Sequence, residues 1–236
     1  MPSFRVIGPG RVGKALTDAL IEIGWLFKGF LGRSDDCASA AKEVDLLVIA
    51  TPDQEIAKVA RVVKPENKNV VIHLSGILDL DVLEPHPRSG SLHPLLSIPG
   101  TKEDGENLRN GVWFAVSGDP LVEKIVKNLG GKILAVSKED RVAYHAAAVI
   151  SSNHLVALMG QVEEIAAKID LPLEPFLQLA FETLKNISDL NPQAALTGPA
   201  SRGDERTLTM HIDVLTDEQK EIYKVLSNEA RRLSER

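Results

Sequence analysis

Near the start of the chain a short apolar run, Ser3–Ile7, meets Gly8-Pro9-Gly10-Arg11-Val12-Gly13. The sequence then takes up helical spacing through Val12, Leu16, Ala19, Leu20 and Ile23. A G-x-G-x-x-G placed between a strand and a helix leaves few architectures open, because each glycine has a mechanical task there. Gly8 makes the tight turn, Gly10 lets a pyrophosphate approach the backbone, and Gly13 lets the helix pack on the strand. The helix start offers unpaired N–H groups and partial positive charge to phosphates, so residues 8–13 are candidate binding residues as a block. The plain alternative is a glycine-rich turn without a ligand.

The sequence to about residue 137 alternates short apolar runs with amphipathic ones. Strands are predicted at Ser3–Ile7, Trp25–Leu31, Asp45–Ala50, Asn69–Leu74, Gly111–Ser117 and Lys132–Val136. Helices are predicted at Val12–Ile23, Ala38–Glu43, Gln54–Val63 and Pro120–Leu129. Such alternation predicts a parallel sheet covered on both faces, and continuous runs such as Asp45–Ala50 suit its centre. Beyond Ser137 there is no strand candidate. Helices are expected at Arg141–Ile169, Leu173–Leu184, Asp204–Val214 and Asp217–Arg232, with Thr216 as N-cap of the last. The expected layout is an α/β domain over 1–137 and a helical domain over 138–236.

In dinucleotide-binding folds an Asp or Glu closing the second strand holds the adenosine ribose. Here the strand ends in Phe30-Leu31-Gly32-Arg33-Ser34. A guanidinium and a hydroxyl suit a 2′-phosphate, so Arg33 and Ser34 favour NADP over NAD. The bland reading of Arg33 is a solvated charge. Asp35 and Asp36 are read as capping a helix at Ala38. Thr51-Pro52-Asp53 and His73-Leu74-Ser75-Gly76 close two central strands, and ligands sit beyond such ends. Thr51, Pro52 and Ser75 are therefore placed beside the nicotinamide half, though Pro52 also suits simple turn chemistry.

The chain has 236 residues, 44% apolar and 25% charged, with formal net charge -6 and one cysteine. An acidic chain is a poor nucleic-acid binder. A lone Cys37 allows no intrachain disulfide and no cysteine-rich zinc site, and it reads as a small buried hydrophobe. No H-E-x-x-H stands in the sequence, and no metal is expected. No strictly apolar run reaches about 18 residues, and the N-terminus lacks a signal-type apolar region, so a cytoplasmic protein without a membrane span is expected.

Further segments, Gly90-Ser91-Leu92-His93-Pro94-Leu95, Tyr144-His145-Ala146-Ala147-Ala148-Val149, Ser152-Asn153, Leu196-Thr197-Gly198-Pro199 and Arg202-Gly203-Asp204, join His73-Leu74-Ser75-Gly76 in a pattern across the chain. In these the chain is similar to a family of Rossmann-like proteins with a C-terminal domain of unknown function, number 2520. Its first half resembles the 6-phosphogluconate dehydrogenase-like superfamily, which includes β-hydroxyacid dehydrogenases and pyrroline-5-carboxylate reductase. The resemblance implies a Rossmann doubly wound parallel sheet followed by an all-α C-terminal domain. It also implies a nicotinamide-dependent oxidoreductase, usually a homodimer, with its site between the domains. One departure matters: β-hydroxyacid dehydrogenases carry a catalytic lysine four residues before an asparagine. Here Asn153 fits the asparagine position, but Val149 stands at the lysine position. One turn further back is His145, and residues 145, 149 and 153 would share a face of an uninterrupted α-helix.

Reduction of a carbonyl or imine needs a proton source beside the hydride acceptor, and histidine is the natural one near neutral pH. His93 and His145 are the candidate acids, with Asn153 beside them; the bland reading of each histidine is a hydrogen-bonded structural one. His86, between two prolines, is read as loop surface. Ser91, Arg202 and Asp204 are candidate substrate-binding residues, with Arg202 suited to a carboxylate. Arg202 and Asp204 could instead pair to close a helix start. The leading expectation is an NADP(H)-dependent reductase of a small carbonyl, keto-acid or imine. A non-catalytic NADP-binding sensor or interaction protein is the alternative that Val149 keeps open. A methyl transferase is weaker, because it wants an acid where Gly32-Arg33 stands. The long helix at Arg141 carries apolar residues on several faces, which predicts a two-fold dimer.

Overall fold

The computed structural model describes residues 1–236. Strand β1 (Ser3–Ile7) leads through the glycine turn into α1 (Arg11–Glu22), followed by β2 (Leu26–Leu31), β3 (Leu46–Ile49), α2 (Asp53–Val62), β4 (Val70–His73) and β5 (Ser89–Pro94). A single turn of helix, α3 (Asp104–Asn107), precedes β6 (Trp113–Gly118), α4 (Leu121–Asn128) and β7 (Lys132–Ala135). The sheet order is β2-β1-β3-β4-β5-β6-β7. Every pairing is parallel except β5 with β6. β2 lies on one side of β1 and β3 on the other, so the strand order reverses at β1, which is where such sheets open a crevice.

Alternation along the strands divides the core in two. Phe4, Val6, Leu46, Val48, Val70 and Ile72 pack under α1 and α4, while Ile7, Leu47, Ile49 and Val71 face Ile56, Ala60 and Leu83. All four residues of β3 and of β4 are buried, as strands covered on both faces must be. Truncating one of these, such as Ile72 to Ala, removes packing worth about 2–5 kcal/mol.

One local expectation fails. Ala38–Glu43 forms turns, not a helix. The Ala40 carbonyl is taken by Arg5 (2.7 Å) and the Ala41 carbonyl by Asn69 (2.9 Å), and Glu43 has φ 60°, so no helical ladder can start. Asp36 still accepts from the Ala38 amide at 2.9 Å, but it closes a turn. Ser89–Pro94 forms a full strand although Ser89-Gly-Ser-Leu-His-Pro carries one large apolar side chain, Leu92.

The rest of the chain is helical: α5 (Arg141–Val149), a π-turn at Ile150–His154, α6 (Leu155–Ala167), α7 (Glu174–Leu190), the single turn α8 (Pro192–Ala195), α9 (Glu205–Val214) and α10 (Asp217–Ser234). Thr216 caps α10 in a reciprocal box with Gln219. The chain divides into two compact units, Met1–Ser152 and Asn153–Arg236. This boundary falls later than residue 137, because α5 is tied to the sheet by its own side chains. By length and composition the continuous helix Arg141–Ala167 is apolar enough to cross a membrane, which the strict apolar run did not reveal because Ser151-Ser152-Asn153-His154 interrupts it.

Candidate functional site

The turn after β1 is built as the glycines require. Gly8 has φ 93°, and a Cβ there would come within 2.8–2.9 Å of the Ala50 carbonyl and the Thr51 nitrogen. A Cβ on Gly13 would meet the Gly8 oxygen at 2.7 Å and the Ala50 Cβ at 2.9 Å. These two glycines therefore let β1, α1 and the end of β3 touch. Gly10 differs. Its backbone is extended (φ -74°, ψ -179°), and a Cβ there would find only the Ala50 oxygen, at 4.0 Å. The protein has no packing reason for glycine at that position. No side chain caps α1, so its first amides are left for another acceptor. Pro9 and Arg11 are exposed on this turn, Val12 is half-buried, and the Arg11 stem lies against Gly100.

At the end of β2, Asp35 accepts from the Gly32 amide at 2.6 Å and so folds the loop on itself. Arg33 and Ser34 are left exposed on that loop. Beyond β3 the Thr51 hydroxyl is buried without a hydrogen-bond partner, and Pro52 is the exposed N-cap of α2. An orphaned hydroxyl beside the glycine turn, at the strand-order reversal, fits a site made for a polar ligand. Ser75, in contrast, is fully engaged. Its Oγ donates to Asp53 at 2.8 Å and accepts from the Ile77 and Leu78 amides at 3.3 and 3.2 Å.

Past β4 and β5 a polar cluster gathers around Gly76. His93 Nδ1 lies 2.7 Å from the Tyr144 hydroxyl, with the rings edge-on. The His93 and His145 ring centres are 6.0 Å apart. A Cβ on Gly76 would come within 2.7 Å of His145 Cδ2 and 2.9 Å of His93 Cε1 and Nε2. His93 and His145 are thus brought together within one compact unit, and Tyr144 joins them. Burial, then the neighbouring His145, push the His93 pKa down to about 4; Asp53 opposes this and Arg141 adds to it. His93 is therefore neutral at pH 7. Burial also lifts the Tyr144 phenol above its ordinary range, with Arg141 opposing. His73 is fully buried, accepts from the Ser75 amide at 3.2 Å, and is depressed to about 4 chiefly by burial and then by Arg141.

Beneath this cluster lies Arg141, 2% exposed. It donates through Nη2 to Ser91 (2.6 Å) and Ser117 (2.7 Å), and its Nε stands 4.0 Å from Asp79. Asp79 in turn pairs with Lys138 at 2.9 Å. Ser91, expected on substrate, is fully buried and spends its hydroxyl on Arg141 and Ser117. Two residues apart on β5, Ser91 and His93 face the same way and meet Arg141 and Tyr144, three apart on α5. Two polar rungs thus fix α5 across the sheet. His86 is another correction: it is 7% exposed, with Nε2 2.9 Å from the Ala60 carbonyl oxygen. Cys37 is half-buried against the second core cluster.

The remaining candidates belong to the second unit. Asn153 lies in the π-turn, where i→i+5 bonding replaces the α pattern, so 3.6-residue spacing no longer places it in phase with residues 145 and 149. Asp204 is the N-cap of α9, accepting from the Thr207 amide (3.1 Å) and hydroxyl (2.7 Å), and makes no ion pair with Arg202. His211, one face along α9, bonds Tyr223 at 2.6 Å.

Tyr144 and Arg141 are the members that spacing did not single out. Tyr144 stood beside His145 in the sequence, but its partner is 51 residues away. Arg141 gave no signal, because a buried arginine is exceptional and its partners are two serines.

In fold, the chain is similar to a candidate NADP oxidoreductase from Bacteroides fragilis, with TM-score 0.84, 20% identity and 98% of each chain covered. It is similar to a Thermotoga maritima protein with TM-score 0.75 and 24% identity, again over 98% of each chain. A third likeness is to the reductive aminase of Aspergillus terreus in complex with NADPH and ethyl levulinate, with TM-score 0.70, 13% identity, 98% of this chain and 94% of that one. No curated protein matches the sequence. The shared fold is a mostly parallel α/β sheet followed by helices, and residues 114–230 match the family model of a domain of unknown function, DUF2520.

Proposed function

We propose that the protein is an NADP(H)-dependent oxidoreductase that reduces a small carbonyl, keto-acid or imine. The observation that carries this reading is Gly10, a glycine that the protein's own packing does not need, at the uncapped start of α1. Gly8–Gly13 would hold the pyrophosphate, Arg33 and Ser34 the 2′-phosphate, and Thr51 and Pro52 would border the nicotinamide. Ser75 would act there through Asp53 and its loop amides. When bound, the nicotinamide supplies the hydride. His93 and His145, the proposed catalytic residues of the first unit, line the cluster around Gly76, close to the ends of β4 and β5. In the second unit, Asn153 is proposed as catalytic and Arg202 and Asp204 as substrate-binding. The similarity in fold to a reductive aminase in complex with NADPH adds support.

Turnover tests the reading. NADPH consumption with a panel of small ketones, keto acids and cyclic imines is expected, whereas tight NADPH binding with no turnover on any of them would favour the sensor reading that Val149 keeps open. For cofactor choice, Arg33→Ala is expected to weaken NADPH by roughly 10- to 150-fold and to spare NADH, as loss of a charge-assisted contact does. Equal losses for both cofactors would remove the case for 2′-phosphate recognition.

We also propose a homodimer through the helical half. Val142, Ile150, Val156, Leu179 and Phe181 are each at least 60% exposed. The first turns of α5 are pinned to the sheet by Arg141 and Tyr144, so the helix cannot leave it to enter a bilayer. A second copy is the occupant this leaves. Light scattering is expected to give the dimer mass; a monomer at micromolar concentration would contradict it.

A further inference from the structure

His93 is placed to serve reduction without acting as a charged acid. The ring has two nitrogens in different settings. Nδ1 faces the Tyr144 hydroxyl at 2.7 Å. Nε2 lies on the Gly76 side, where a Cβ would stand only 2.9 Å away. The Tyr144 phenol can donate or accept, and with the phenol as donor His93 Nδ1 is its acceptor. A neutral imidazole carries one hydrogen, so a ring that accepts at Nδ1 must donate at Nε2. Glycine at position 76 keeps the approach to that nitrogen clear of a side chain.

We propose that His93 donates a hydrogen bond from Nε2 to the reacting heteroatom of the substrate, and that Tyr144 is the positioning residue that fixes which ring nitrogen carries the hydrogen. This rests on the reductase reading above. The donor polarises the C=O or C=N bond and steadies charge as it builds on the heteroatom, the role of a preorganised neutral donor. The C=X π bond breaks, the carbon receives the hydride with its electron pair, and the π electrons settle on the heteroatom. Water supplies the proton for the new O–H or N–H bond, and His93 keeps its own.

The groups facing His93 are Asp53 from α2 and Arg141, Tyr144 and His145 from α5. Arg141 acts at one remove. Its bonds to Ser91 and Ser117 hold the helix turn from which Tyr144 reaches His93.

The pH dependence separates this role from that of an imidazolium acid. A charged acid with a pKa of about 4 would be lost as pH rises through 4, so turnover would climb on acidification. A neutral donor keeps the same protonation state over the range well above that value, so kcat is expected to stay flat from about pH 6 to 8.

The direct test is 15N NMR of histidine-labelled, cofactor-free protein. His93 is expected as a single Nε2–H tautomer between pH 6 and 8; an Nδ1–H tautomer would overturn the proposal whether or not the protein is a reductase. In Tyr144→Phe the tautomers are expected to mix and kcat to drop at least tenfold with NADPH affinity unchanged. Unchanged kcat in that variant would also overturn it. A second pair guards against misfolding. His93→Gln, which keeps an amide donor, should retain at least ten times the kcat of His93→Leu, whose loss should be about 100-fold. Equal losses would sink the donor role, while failure of NADPH to bind the wild-type protein would sink the reductase reading instead.

Discussion

Gly76→Ala is expected to lower turnover at least 100-fold while NADPH affinity changes by no more than a few-fold. The new Cβ would stand 2.7 Å from His145 Cδ2 and 2.9 Å from His93 Nε2. Neither side can yield easily. The loop is held by Ser75, which bonds Asp53 and two following amides, and the His93 ring is held by Tyr144. Overpacking of this kind costs about 1–3 kcal/mol, which a domain of this size survives, so the damage should register in kcat before it registers in folding. Steady-state kinetics beside a melting curve would check it. Wild-type turnover in Gly76→Ala would mean that the two histidines are not close to the chemistry.

The second large effect separates two glycines of one turn. Gly8→Ala meets backbone atoms at 2.8–2.9 Å from a residue at φ 93°, so it should destabilise the protein by about 3 kcal/mol or more and abolish cofactor binding with it. Gly10→Ala meets nothing closer than 4.0 Å and needs no unusual backbone. Its melting temperature should match wild type within the roughly 0.5 kcal/mol typical of exposed positions. NADPH affinity should nevertheless fall tenfold or more, because the methyl group occupies space kept for phosphate. Undiminished binding by Gly10→Ala would leave its bare backbone without a purpose.

Much of the fold is legible in the sequence because burial on both faces writes itself as apolar runs. β3 and β4 read directly from Leu46–Ile49 and Val70–His73, and the glycine turn marks β1 and α1. β5 stays hidden because one large apolar side chain, Leu92, gives no alternation, and the inward positions Ser91 and His93 are polar to meet α5. The π-turn is equally silent. Ser151 bonds back to the Ala147 carbonyl and Ser152 to that of Ala148, both at 2.8 Å, and no apolar periodicity encodes that choice. Asn153 shows the consequence, since a spacing drawn for an α-helix does not cross such a turn. For the candidate site, the glycine motif singles out Gly8–Gly13, and the chemistry of reduction singles out His93 and His145. They do not reveal that His93 is neutral, because its burial comes from long-range contacts. Nor do they reveal that Ser91 serves Arg141, since pairs separated by 50 residues meet only in the folded chain.

The proposed function rests on Gly8–Gly13 holding a pyrophosphate and Arg33 a 2′-phosphate. Calorimetric titration of the purified protein with NADPH and then with NADH tests this most directly. The expected result is one saturable site per chain with micromolar affinity for NADPH and clearly weaker affinity for NADH. Absence of heat and of any fluorescence change with both nucleotides at millimolar concentration would contradict it and leave the fold without this chemistry.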